Sequence, residues 1–386
     1  MNNSGHERLA YIDFLRGVAV LGLLLLNAPF MGLIEFGYAP TEPVAQSDYL
    51  VATINSLFLD GRFRSLFCLL FGIGIYLQFS SYARKGYLPK NMLMSRLQWL
   101  LAFGIAHCTF IWTGDILILY ALSGFFLLKR MEWSAEQQLK KGLMFFAIGM
   151  LITFAEVGAM VLWDESMVRG SESFNDAYAS LSQPYYETVV TGLFMAVIYV
   201  ITFPVLSLFY LCGVMLIGIG LFRLGKLQSG FDKLELKVLW LVTILFSLFS
   251  VVSLFYDFGF WQFFTLAFSS VSGLSMALLI WHFVIKSELY SNNGWLVSSI
   301  RKVGTMALSF YILQSLVFTS ILRYIMPEII LDSSLYVYSA MALVFVFVQI
   351  IIASVYKQFF NQGPLEYIWR RLANREAVLA HKAESS

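Results

Sequence analysis

Two polar side chains set deep in apolar segments carry the chemistry open to this sequence. Asn27 lies eleven residues beyond Arg16, and His107 lies eleven residues beyond Arg96. At 1.5 Å per helical residue both sit about 16 Å from their cations, so they can share a depth and meet. A histidine titrates nearest neutrality, which suits a general base that takes a proton from an acceptor hydroxyl or amine. The same imidazole is equally at home packed between helices and bonded to a carbonyl. Asp115 follows one tight turn later in Trp112-Thr113-Gly114-Asp115. It can orient the imidazole and stabilise its protonated form, or it can simply cap the next helix, the role that spacing alone favours.

Further polar residues offer ligand contacts. Arg62 and Arg64 can bind an anion or steady an oxyanion, pair with Asp60 or Glu35, or snorkel at a membrane surface. Asp13 and Arg16, three apart, share a helical face and read as an ion pair closing the start of the first segment. Gln314 supplies a second buried amide. Cys68, Cys108 and Cys212 all lie in apolar runs without a CxxC pair, which indicates neither a disulfide framework nor a metal site. No glycine-rich phosphate loop occurs, and midmembrane carboxylates of the kind that couple transport to protons or sodium are scarce.

The elements that must position these residues are membrane helices. Of 386 residues 59% are hydrophobic and only 13% charged, against roughly 25% charged in soluble domains. Apolar runs long enough to cross a bilayer occur near 16–35, 65–82, 96–112, 115–129, 142–162, 190–222, 238–256, 259–285, 303–325 and 335–356. The first is expected to be retained rather than cleaved as a signal peptide, since Asp13 and Arg16 flank it and no small-residue cleavage site follows. The fourth run is short. The sixth is too long for one straight crossing, and Pro204 offers a kink or a break.

Ten crossings with both termini in the cytoplasm place only Arg62, Arg64, Arg169 and Arg323 outside, leaving 22 of the 26 Lys and Arg inside. The expectation is therefore a single all-α, ten-pass membrane domain over 1–386, with a basic cytoplasmic tail over 357–386 whose Trp369, Arg370 and Arg371 anchor it at the interface. The net charge of +2 is sorted by membrane side and gives no reason to expect nucleic acid.

In order along the chain, Asp13-Phe14-Leu15-Arg16-Gly17 with Asn27, Phe63 with Leu66 to Gly74, Gly104-Ile105-Ala106-His107, Gly114-Asp115-Ile116-Leu117 with Tyr120-Ala121-Leu122, and Gly363-Pro364-Leu365-Glu366-Tyr367-Ile368-Trp369-Arg370 resemble the YeiB-like family of bacterial membrane proteins, the domain of unknown function 418. That family is similar in turn to transmembrane acyltransferases, among them bacterial sugar O-acyltransferases and a lysosomal N-acetyltransferase.

The resemblance implies a bacterial inner-membrane enzyme that moves an acyl group from cytoplasmic acyl-CoA, acetyl-CoA first among candidates, to an acceptor on the far side. Arg16, with Arg84, Lys85 or Arg96, would meet the CoA phosphates. His107, oriented by Asp115, would be the general base, and Asn27 or Arg62 would steady the oxyanion. The O-acyltransferases carry histidine where this sequence has Asn27, and an amide is no base at neutral pH. A transporter or channel for a small or lipidic molecule and a non-catalytic scaffold are the alternatives. The acceptor, the acyl group and any homo-oligomer stay open.

Overall fold

The computed structural model describes residues 3–33, 37–161, 168–255 and 259–384. Glu35, a suggested partner of Arg62 or Arg64, lies outside them. Among the described residues the chain is helical, with no strand.

Its helices run in order α1 (Asn3–Asn27), α2 (Gln46–Phe58), α3 (Arg62–Arg84), α4 (Pro89–Phe110), α5 (Leu117–Leu128), α6 (Ala135–Val161), α7 (Glu172–Ala179), α8 (Tyr185–Leu206) and α9 (Leu208–Arg223). There follow α10 (Lys226–Ser229), α11 (Lys233–Phe255), α12 (Gly259–Lys286), α13 (Trp295–Gly304), α14 (Ala307–Ser320), α15 (Glu328–Asp332), α16 (Leu335–Phe359) and α17 (Pro364–Glu384). Eight stretches of described helix are long and apolar enough to cross a membrane, and α5 and α9 are shorter apolar helices.

Helix α9 is the core of the bundle. Every residue from Leu211 to Leu221 is buried, and the helix packs along α6 and α3. On the lipid-facing periphery, α8 and α11 expose large side chains such as Phe194, Ile201, Trp240 and Leu241, as expected where hydrocarbon is the solvent.

Three membrane segments are interrupted, and the interruptions position the polar residues. The long run 190–222 is two helices. Pro204 removes a backbone N–H and crowds the carbonyl one turn back, α8 ends at Leu206, and α9 starts after Ser207. Between α2 and α3 the chain breaks at Gly61, whose φ of 75° is open to glycine at little cost. A Cβ there would lie 2.2 Å from the Ser269 carbonyl, so α12 approaches backbone to backbone.

The third interruption is the α4–α5 turn. Helix α5 has 12 residues, about 18 Å at 1.5 Å per residue, while a hydrocarbon core is about 30 Å thick. Since Lys129 and Arg130 follow α5 directly, this length sets the turn within the membrane rather than at its surface.

Candidate functional site

Irregular backbone at membrane depth survives only where protein satisfies its polar groups. Tyrosine hydroxyls do this for the α4–α5 turn. Tyr185 donates to the Phe110 carbonyl at 2.7 Å, Tyr199 donates to the Thr113 carbonyl at 3.0 Å, and Ile116 N–H donates to the Tyr311 hydroxyl at 3.3 Å. The Trp112 indole N–H reaches the Phe30 carbonyl at 3.0 Å, tying the turn to the end of α1.

Held by this scaffold, His107 and Asp115 meet. His107 Nδ1 lies 2.7 Å from Asp115 Oδ2, with both residues almost wholly buried. The other carboxylate oxygen, Oδ1, accepts the Ile118 N–H at 2.7 Å in the first turn of α5. One carboxylate thus meets both the imidazole and a first-turn N–H of α5. An ionised Asp115 accepts a hydrogen bond from Nδ1–H, which leaves the lone pair on Nε2. That atom is buried and has no hydrogen-bond partner among the described residues. The imidazole is flanked by Tyr311, with ring centroids 5.2 Å apart, and edge-on by Trp112 at 6.3 Å.

Below the dyad a cavity of ≈670 Å³ opens toward the cation-rich end of the bundle. Arg16, Lys85, Arg96 and Arg370 stand around it, with Asp13 and Glu366 as the acids of its lining. Both acids are engaged. Asp13 pairs with Arg16 at 2.9 Å, and Glu366 Oε1 accepts the N–H groups of Leu308 and Ser309 at 2.8 and 3.1 Å, at the start of α14. The mouth is therefore net cationic and fits an anion such as a phosphate. Further in, Leu70, Phe71, Leu97, Leu100 and Tyr120 make the walls apolar.

The other expected site residues lie elsewhere. Asn27 ends α1 and is half-buried, three residues before the Phe30 carbonyl that holds Trp112; its side chain caps nothing. Arg62 does not snorkel. It is fully buried in the α2–α3 break, donating to the Asp60 carbonyl and, at 2.6 Å, to Ser247. Arg64 donates to Ser270 at 3.3 Å and lies over the Tyr210 ring. Gln314 donates to the Val20 carbonyl at 3.0 Å and to Gln349 at 2.9 Å, tying α14 to α1 and α16. Neither arginine nor Gln314 lines the cavity.

Sequence reasoning took the Gly363 to Arg370 motif for an interfacial anchor and missed its contribution to the site. Besides the Glu366 bonds, the Trp369 indole donates to the Arg96 carbonyl at 2.8 Å and its ring stacks under the Arg96 guanidinium. Helix α17 is thus a wall of the cavity. Glu366→Ala leaves two N–H groups of α14 without their acceptor, and a loss of about 1–3 kcal/mol is expected. Glu366→Gln keeps an acceptor oxygen and should lose less than half of that. Thermal unfolding in detergent, with limited proteolysis of the tail, checks both.

The family model described as a protein of unknown function (DUF418) matches residues 221–376. The chain is 26% identical to the uncharacterized protein YeiB of Escherichia coli (strain K12), over 96% of this chain and 97% of the relative. It is 24% identical to the uncharacterized protein YxaH of Bacillus subtilis (strain 168), covering 95% and 94%. An uncharacterized 39.9 kDa protein in the amylase 3' region of Bacillus acidopullulyticus is also 24% identical, over 98% of each chain. No solved structure matches.

Proposed function

The chain belongs to the DUF418 family of membrane proteins of unknown function, and we propose that it is an acyltransferase of the bacterial cytoplasmic membrane, carrying an acyl group from cytoplasmic acyl-CoA to an acceptor at the outer side. The observation that carries this reading is the buried His107–Asp115 pair, whose unpartnered Nε2 lies one aromatic ring from a cation-rimmed cavity. The positive-inside bias puts the cavity mouth in the cytoplasm, where the CoA phosphates would meet Arg16, Lys85, Arg96 and Arg370 and the thioester would point inward.

In the reaction Nε2 takes the proton of an acceptor hydroxyl or amine as its O or N forms a bond to the thioester carbonyl carbon. Asp115 stabilises the imidazolium. Collapse of the tetrahedral intermediate breaks the carbon–sulfur bond, and the proton passes from the imidazolium to the departing CoA sulfur. Arg62, committed to Ser247 and the Asp60 carbonyl, is not assigned to the oxyanion.

Thermal unfolding of the purified protein in detergent tests the donor. A ligand that binds only the native state adds about 2.7 kcal/mol of stability at one hundred times its Kd. Acetyl-CoA is expected to stabilise saturably, free CoA to compete, and Arg16→Ala to weaken the response at least about tenfold, a loss of about 1.4 kcal/mol in binding. If neither CoA nor any acyl-CoA stabilises folded protein, the reading fails.

One observation favours transport instead. Interrupted helices such as α2–α3 and α8–α9 are common where transporters bind substrate. Flux into vesicles without chemical change would establish that reading.

A further inference from the structure

We infer that Tyr311 is a gate between the cavity and the His107 base. The inner end of the cavity is lined by Leu117, Tyr120 and Tyr311, and His107 is not part of its wall. What lies against the imidazole there is the Tyr311 ring, 5.2 Å away and inclined by 50°. The two other residues are poor candidates to move. Leu117 starts α5 in the turn anchored by Asp115, and Tyr120 is fully buried between Phe67 and Phe71 at 5.7 and 4.9 Å.

Tyr311 is buried as well, but among the described residues it stacks between no pair of Phe rings, and its hydroxyl has one hydrogen bond, the 3.3 Å contact from Ile116 N–H. Its helix begins after a break at Thr305 and Met306 and passes at its other end into a π-helical turn at Ile321–Ile325. A helical side chain leans over the turn N-terminal to it, and there Thr305, Ala307 and Leu308 line the cavity. A swing of the phenol into that cavity exposes Nε2. The aperture it leaves is bounded by Leu117 and Tyr120. That passage admits a thin uncharged arm and holds phosphates back at the cationic mouth. Only the naming of that arm as the thioester end of acyl-CoA rests on the proposed function.

Cysteine labelling in detergent tests the gate without donor or acceptor. Cys68, Cys108 and Cys212 are first replaced by alanine, and a small methanethiosulfonate reagent is then applied to His107→Cys and, separately, to Gly74→Cys. Gly74 lines the cavity and has open space where a side chain would stand. Gly74→Cys should react fast whatever occupies position 311. His107→Cys should react slowly with Tyr311 or Tyr311→Phe, and at least tenfold faster with Tyr311→Ala. If the alanine variant is not monodisperse, Tyr311→Leu takes its place. Equal His107→Cys rates with and without the ring would overturn the gate, and so would slow labelling of Gly74→Cys. Because the readout is chemical access, failure of acyl transfer leaves this result standing, and a failed gate leaves the acyltransferase test untouched.

Discussion

Asp115→Asn is expected to cut the proposed acyl transfer by about 10²–10⁴-fold, the usual worth of a general base, while leaving the fold intact. The asparagine oxygen can still accept the Ile118 N–H that Asp115 Oδ1 accepts now. Its NH₂ then faces His107 Nδ1 as a donor, so the imidazole must carry its proton on Nε2. The base is lost because the tautomer is wrong, although the hydrogen bonds are kept. Asp115→Ala removes the cap and strands a buried N–H. On top of the lost activity it should cost on the order of 2–4 kcal/mol of stability. His107→Ala should match Asp115→Asn in activity. Steady-state transfer alongside thermal unfolding separates these outcomes, and an Asn variant as active as the parent would remove the dyad from the mechanism.

Gly304→Ala is expected to destabilise the protein by about 3 kcal/mol, the upper range for forcing a methyl into a closed contact. A Cβ at Gly304 would lie 1.8 Å from the Asp13 carbonyl oxygen and 2.8 Å from Gly17 N. From the other side, a Cβ at Gly17 would lie 2.1 Å from the Ile300 carbonyl. These are backbone atoms, so no side chain can step aside; α1 and α13 must part. The same crossing places Arg16, whose Nη1 lies 3.5 Å from the Gly304 carbonyl, so ligand binding at the mouth should fall with stability. Gly74→Ala is the control. Nothing lies within 4 Å of its added methyl, and exchanging a helical glycine for alanine should stabilise by about 0.5–1 kcal/mol. The two unfolding temperatures should move in opposite directions; a Gly304→Ala protein as stable as the parent would show that the crossing is not tight.

Much of this protein is readable without its structure. Composition and the lengths of apolar runs dictate a helical membrane protein, because hydrocarbon leaves the backbone no other way to satisfy itself in isolated segments. The pairing of Asp13 with Arg16 follows from a spacing of three on one helix. Pro204 marks 190–222 for a kink or a break, since a missing N–H acts locally, and the structure has the break, at Ser207. In each case cause and effect lie within a turn or two of chain.

Tertiary structure decided the rest. His107 and Asp115 are visible as chemistry-bearing residues, yet their meeting depends on a hairpin that turns back inside the membrane on hydroxyls from Tyr185, Tyr199 and Tyr311. The sequence leaves Arg62 open to anion binding, pairing or snorkelling, and the fold buries it against Ser247, 185 residues away. Glu366 and Leu308 are 58 apart, and Arg16 and Gly304 are 288 apart. Periodicity tells which face of a helix turns inward but not which helix it meets. That choice belongs to packing between elements, and packing is where the cavity, its acids and its gate arise.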